Sequence, residues 1–164
     1  MASIPLLPQA VIIGIGATAV MDLWLMLLKR AGVPTMDFAL LGRWVGHLFQ
    51  GQLAHDAIRR APAVPGELGL GWFAHYGVGI LFSGAFVLML GSGWLADPRW
   101  LPAVAWGLFT AAAPLFVLQP AMGAGVASSR TPAPLKNSLR SLANHAIFGL
   151  GLYLSAAALA LIAA

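Results

Sequence analysis

Asp22, His75 and His145 are ionisable side chains placed inside long apolar stretches of the chain. A charged side chain inside a bilayer costs about 2.5–3.5 kcal/mol on insertion scales, so such groups usually face a protein interior and pair with one another. A carboxylate with imidazoles binds a proton or a small cation, and two imidazoles from different helices also ligate haem iron. These residue types therefore indicate an ion- or ligand-binding site within a membrane.

The composition agrees with a membrane location. Of the 164 residues, 60% are hydrophobic and only 9% are charged, whereas soluble domains carry about 25% charged residues. The formal net charge of +4 comes from basic residues spread over short connections, which is typical of membrane topology and not of a nucleic-acid-binding surface. The chain has no cysteine, which excludes disulfides, thiolate catalysis and cysteine-ligated metals.

Four apolar stretches are long enough to cross a bilayer, because about 20 helical residues span a hydrocarbon core of roughly 30 Å. We predict an all-α membrane protein, a single integral domain over residues 1–164 with four transmembrane helices in a bundle. Basic residues follow the first apolar stretch and do not precede it. We therefore expect this stretch to be retained as a helix and not cleaved as a secretory signal. The predicted spans are 9–28, 70–91, 101–123 and 142–163.

Basic residues are divided unequally among the connections between these spans. The second connection holds only Arg99, and the first (29–69) and third connections hold the remaining eight: Lys29, Arg30, Arg43, Arg59, Arg60, Arg130, Lys136 and Arg140. Cytoplasmic loops carry an excess of Lys and Arg. We therefore predict that the first and third connections are cytoplasmic, and that both termini lie on the outer (periplasmic) side of a bacterial inner membrane.

The first connection contains an amphipathic segment. Residues 36–50 place apolar side chains near one face and Arg43 and His47 largely on another, and about 15 residues are too few to span a bilayer. We predict an interfacial helix over 36–50, with Thr35 as its N-cap. His47 and His55 are most simply solvated loop residues, although Arg43 and His47 are also candidates to lie over the mouth of a binding site.

The predicted orientation places polar side chains of all four spans at a similar depth. Asp22 lies about 9 Å inside the cytoplasmic edge of the first span. Pro114 and Pro120 are expected to kink the third span, and Gly79 and Gly149, one turn deeper than the two histidines, predict free volume. We therefore predict a cytoplasm-facing polar pocket formed by Asp22, His75, Gln119 and His145, with Tyr76 and Asn144 at its margin and Arg43 and His47 at its mouth.

Several functions fit this pocket. The first is binding or transport of a small ligand or ion. The second is an electron-transfer subunit with haem b held by His75 and His145, and the third is a structural subunit in which Asp22 and Gln119 only clasp helices. An acid/base role for Asp22 and His75 has no HExxH, GxSxG or P-loop motif beside it, so the sequence does not favour an enzyme.

The expected partners follow from the same pattern. They are the lipid bilayer and either a second copy of the chain or another subunit of a membrane complex, and nucleic acid is not among them.

Short motifs distributed over all four spans resemble a known family. They include GATAVMDLW (16–24), GRWVGH (42–47), LGWFAHY (70–76), QPAMGAG (119–125) and HAIFGLGLY (145–153). Together they resemble an uncharacterised family of small four-helix bacterial inner-membrane proteins, known only as a domain of unknown function. The resemblance implies a multi-pass membrane location and no assigned activity.

Overall fold

A computed structural model of the protein describes residues 5–163, and these form helices without any β-strand. The helices are α1 (Leu6–Arg30), α2 (Phe38–Leu48), α3 (Glu67–Ala96), α4 (Trp100–Thr110), α5 (Gln119–Ala121) and α6 (Pro134–Ala163). Single 3-10 turns lie at Ile58–Arg60 and Val126–Ser128. The predicted all-α class is confirmed.

Four helical segments are long and apolar enough to cross a membrane: Leu6–Arg30, Glu67–Ala96, Trp100–Ala121 and Pro134–Ile162. They correspond to the four predicted spans, and each begins earlier than predicted. The largest difference is in α6, where polar residues such as Lys136 and Asn137 extend the helix ahead of its apolar part. By length and composition, these helices are therefore compatible with a multi-pass membrane protein.

Prolines interrupt the third span. Regular α-helix ends at Thr110, and a π-helical turn covers Pro114–Leu118 before the short helix α5. Because proline has no N–H and its ring clashes with the preceding turn, the regular hydrogen-bond ladder cannot continue through Pro114. The N–H of Gln119 instead donates to the carbonyl of Pro114, which is the wider spacing of a π-turn.

The described residues group into two compact units. The first unit comprises the chain up to Pro34, the segment Tyr76–Thr110 and the chain from Asn144 onward. The second unit comprises Thr35–His75 and Ala111–Ala143.

In the first unit, α1, α4 and the later parts of α3 and α6 pack around a buried apolar core. Glycines bring their backbones into close contact. A Cβ added to Gly14 would lie 2.7 Å from Ile80 Cα, and one added to Gly151 would lie 2.8 Å from Ala17 Cα. Small residues at helix crossings are the usual means of close packing in membranes. The fully buried core side chains are Ile13, Ala17, Phe86, Val87, Leu152 and Ala156.

Helix α3 is broken near its end by Gly91, whose backbone angles (φ 71°, ψ −170°) are not helical. This left-handed region is open to glycine without steric cost. The indole N–H of Trp94, just after the break, donates to the carbonyl of Arg99 at 3.2 Å. The break therefore separates the long part of α3 from a short terminal segment that is fixed to the following turn.

In the second unit, α2 packs against the first turns of α3. A Cβ on Gly42 would lie 2.6 Å from the backbone nitrogen of Gly71, so the two helices are in backbone contact. The Asp37 side chain accepts a hydrogen bond from the Ala39 N–H at 3.0 Å and caps α2. The predicted cap, Thr35, was wrong by two residues, because Asp37 lies at the position where the helix actually begins. The predicted helix over 36–50 is shorter, Phe38–Leu48.

Candidate functional site

Asp22 and Tyr76 form a hydrogen-bonded pair in the first unit. Asp22 lies in α1 and Tyr76 in α3, and the Tyr76 hydroxyl donates to Asp22 Oδ2 at 2.8 Å. A hydrogen bond to an ionised group is about twice as strong as a neutral one, so this contact offsets part of the cost of a carboxylate within a span. The sequence predicted both residues as members of one site, and the structure brings them together.

His145 is paired with Thr110, a residue that the sequence prediction missed. The Thr110 hydroxyl donates to the carbonyl of Gly107 at 2.6 Å and lies 2.9 Å from His145 Nδ1. A hydroxyl has one proton, so Thr110 accepts the second bond from the His145 Nδ1–H. In the neutral ring the basic nitrogen is then Nε2. The signal for Thr110 was its position as the single hydroxyl residue of an apolar span.

A third polar contact joins α1 and α6. The indole N–H of Trp24 donates to Asn144 Oδ1 at 3.0 Å. All four helices of the first unit thus contribute polar side chains near the same end, and each contact joins two different helices. We call this set the polar layer: Asp22, Trp24, Tyr76, Thr110, Asn144 and His145.

The free volume predicted beside the polar layer is absent in the first unit, and that prediction was wrong. A Cβ on Gly149 would lie 2.7 Å from Val104 Cα, so the backbone of α4 occupies this space. The space at Gly79 is filled by the Thr18 side chain, whose hydroxyl donates to the carbonyl of Gly14 at 2.8 Å. The glycines serve close helix packing and do not create a cavity.

His75 and Gln119 belong to the second unit. The His75 ring lies 4.5 Å from the Phe38 ring and 5.9 Å from the Trp72 ring, measured between centroids. Gln119 Oε1 accepts a hydrogen bond from the Ser128 hydroxyl at 3.0 Å, within the turn that follows α5. A single pocket that includes these residues together with the polar layer stays a prediction.

Arg43, predicted at the mouth of the pocket, forms a clasp within the second unit. Its guanidinium makes two hydrogen bonds to the Glu67 carboxylate, at 2.8 and 2.9 Å. It also donates to the carbonyls of Ile58, Arg59 and Ala61 at 3.1–3.5 Å. Hydrogen bonding to Glu67 raises the pKa of the Arg43 guanidinium above its ordinary value. These contacts favour a structural role in which Arg43 holds the connection against α2 and α3.

His47 and His55 are buried, so their interpretation as solvated loop residues was wrong. Their exposed fractions are 4% and 9%. His47 Nδ1 lies 2.6 Å from His55 Nε2, and the two rings stack with centroids 4.8 Å apart. The position of His47 at the mouth of a pocket stays a prediction. Within residues 5–163, no group of three or more His, Cys, Asp or Glu side chains is arranged to hold a metal ion.

Comparison with known proteins identifies the family but no characterised relative. The model of the family described as "Protein of unknown function (DUF2938)" matches residues 11–159. No curated protein and no solved structure gives a significant match. Because the family model covers most of the sequence, this chain belongs to the DUF2938 family.

Proposed function

We propose that this protein binds a small cation at the polar layer of its first unit, with Asp22 as the negatively charged group. The observation that carries the proposal is the hydrogen bond between Tyr76 and Asp22 at 2.8 Å, inside helices apolar enough to span a membrane. Intramembrane ionisable residues are costly and usually mark ion or substrate sites. A tyrosine hydroxyl is uncharged, so this contact orients the carboxylate and does not by itself cancel its negative charge.

The chemistry of the polar layer supports a cationic ligand. Asp22 is its acidic side chain, and its other members offer hydroxyl, amide and imidazole groups. Alkali cations take oxygen ligands, and a small ammonium group donates hydrogen bonds to carboxylate and imidazole acceptors. An anion would have to approach Asp22 in a medium of low dielectric, where like charges repel strongly.

The packing of the first unit favours binding at one end over passage through the unit. Beyond the polar layer, Ile13, Val87 and Leu152 are 0% exposed. Backbone contacts at Gly14 and Gly151 leave no room for even a methyl group. A hydrated ion moving through this core would lose its water without gaining polar partners, which is prohibitive.

The haem alternative loses one of the observations that supported it. A porphyrin beside His145 needs space at Gly149, and that space is occupied by α4. A Soret band in the purified protein that disappears in His145→Ala would nevertheless overturn cation binding as the primary function.

The test uses purified protein in detergent with Na⁺, K⁺ and ethylammonium as probes. A cation that binds the folded state at 100 times its Kd raises the free energy of unfolding by about 2.7 kcal/mol. We expect one probe to stabilise the wild type and Asp22→Asn to abolish the effect. Asp97→Asn is the matched control, because Asp97 is 72% exposed and paired with Arg99. Equal responses of wild type and Asp22→Asn, or no response to any probe, would refute the proposal.

We also propose that the connection containing α2 lies on the cytoplasmic side of a bacterial inner membrane, with both termini outside. The charge bias of the connections supports this orientation. Because the natural chain has no cysteine, single Gln52→Cys and Asp97→Cys variants can be labelled without background. In intact cells, a membrane-impermeant maleimide should label Asp97→Cys only, and Gln52→Cys should react after permeabilisation. The opposite pattern would reverse the orientation.

A further inference from the structure

His47 and His55 come from two segments whose backbones are fixed independently of each other. His47 lies in the last turn of α2, which is in backbone contact with α3 through Gly42. The segment carrying His55 is held by the turn after α5, because the His55 N–H donates to the carbonyl of Ala121 at 2.8 Å and the Ile58 N–H donates to that of Met122 at 3.1 Å. The two imidazoles are therefore brought together by anchored backbone.

A purely structural hydrogen bond explains this pair poorly. One proton lies between His47 Nδ1 and His55 Nε2, and His55 Nδ1 is a buried nitrogen without a hydrogen-bond partner among residues 5–163. A buried polar group left unsatisfied costs stability, and a partly satisfied polar contact is worse than an apolar one. That cost falls on the His55 nitrogen that does not face His47, so an ion between the two rings would not remove it. The observation that calls for a chemical reason is the contact itself, two imidazole nitrogens held 2.6 Å apart in a buried place.

Two imidazole nitrogens that face each other can hold a transition metal between them once their separation increases. Zinc binds histidine nitrogen at about 2.0–2.1 Å, and tetrahedral geometry then places two such nitrogens about 3.3 Å apart. The observed separation is 2.6 Å, so side-chain rotation of under about 1 Å would open the contact for an ion. The shared proton occupies the place that the metal would take.

We propose that His47 and His55 form a two-imidazole binding site for a divalent transition metal of the zinc class, separate from the polar layer. Neutral imidazole is a preferred ligand of zinc, copper and nickel. Because no third His, Asp or Glu completes a cluster in the described part of the chain, water supplies the remaining ligands from the side of the exposed segment 49–54, which joins the two buried histidines. The bound ion is consequently exchangeable, in contrast to the closed four-ligand sites that hold structural zinc.

The test is equilibrium dialysis of the purified protein against Zn²⁺, with the metal quantified by mass spectrometry. We expect one Zn²⁺ per chain, and a loss of affinity of at least about tenfold in both His47→Gln and His55→Gln. Asp97→Asn is the control and should bind Zn²⁺ as the wild type does, because Asp97 is exposed and paired with Arg99, outside both proposed sites. No saturable binding would overturn the proposal, as would a loss in His145→Gln alone, which would move the zinc to the polar layer.

A second measurement avoids dependence on the folding of variants. Hydrogen–deuterium exchange of the wild type with and without Zn²⁺ should show slower exchange in peptides covering 47–58. Slower exchange confined to α1 or α6, or no change in 47–58 at saturating Zn²⁺, would refute the assignment. Because the alkali-cation test reports on Asp22 and this one on residues 47–58, each proposal can fail without the other.

Discussion

Replacing Tyr76 by Phe tests whether Asp22 is ionised in the folded protein. The substitution removes one hydroxyl and keeps the ring, so its main effect is loss of the 2.8 Å hydrogen bond to Asp22. Hydrogen bonds to charged groups contribute about 1.5–3 kcal/mol. Neutral hydrogen bonds between membrane helices average only about 0.6 kcal/mol. The size of the loss therefore distinguishes a carboxylate from a neutral carboxylic acid.

We expect Tyr76→Phe to lower the free energy of unfolding by about 1.5–3 kcal/mol in the wild type. In an Asp22→Asn background the acceptor is uncharged, and the same substitution should cost only about 0.6 kcal/mol. The difference, about 0.9–2.4 kcal/mol, is the coupling between the hydroxyl and the negative charge.

The assay is reversible unfolding in mixed micelles, followed by circular dichroism, for the four members of the cycle. Tyr153→Phe is the matched control, because Tyr153 is the other tyrosine of the chain and lies in the same unit. Its loss should be under about 0.5 kcal/mol. If Tyr76→Phe costs the same in both backgrounds, Asp22 is not a charged acceptor and the proposed cation site loses its basis.

Three further predictions concern packing, the clasp and backbone strain. In mixed micelles, Gly149→Ala should lower the free energy of unfolding by about 1–3 kcal/mol. The reason is that the added Cβ would meet the α4 backbone. Hydrogen–deuterium exchange should show faster amide exchange over 58–64 in Arg43→Lys, because lysine cannot make the two parallel hydrogen bonds to Glu67. Ala127→Gly should raise the free energy of unfolding by up to about 1 kcal/mol in the same micelle assay. Ala127 has a left-handed conformation (φ 48°, ψ 42°), which costs an L-residue roughly 1–2 kcal/mol. Glycine removes this cost, but its greater freedom in the unfolded chain offsets part of the gain.

Each of these predictions has an internal comparison. Gly84→Ala, at a position with open space, should be neutral or stabilising by about 0.5–1 kcal/mol, and equal losses at both glycines would contradict the packing argument. Arg59→Lys, on an exposed side chain, should leave exchange unchanged, and an effect as large as that of Arg43→Lys would argue against the clasp. A less stable Ala127→Gly variant would show that the turn carries no relievable strain.

The spans were predictable from sequence because length and apolarity are enforced by the bilayer itself. Predicting long apolar helices around 9–28 and 70–91 needed no information about neighbouring residues. The early start of α6 was not predictable in the same way. Residues such as Lys136 and Asn137 are compatible with a helix but carry no apolar signal.

Which polar side chains meet was only partly predictable. Asp22 and Tyr76 were placed in one site because depth along a helix follows from residue number. Depth does not determine the direction in which a side chain faces. Thr110 was therefore missed as the partner of His145, and Gly149 was expected to leave free volume that α4 in fact occupies. The burial of His47 and His55 depends on a loop packed against the turn after α5, a long-range contact that local sequence does not encode.

The break at Gly91 bears on which bilayers suit this protein. An unbroken helix of the 30 residues in α3 would be about 45 Å long, much more than a hydrocarbon core of about 30 Å. The stretch from Leu70 to Leu90, ahead of the break, is roughly 30 Å long. Gly91 thus ends the uninterrupted part of α3 after a length that matches a hydrocarbon core of about 30 Å, and a helix of matching length limits hydrophobic mismatch.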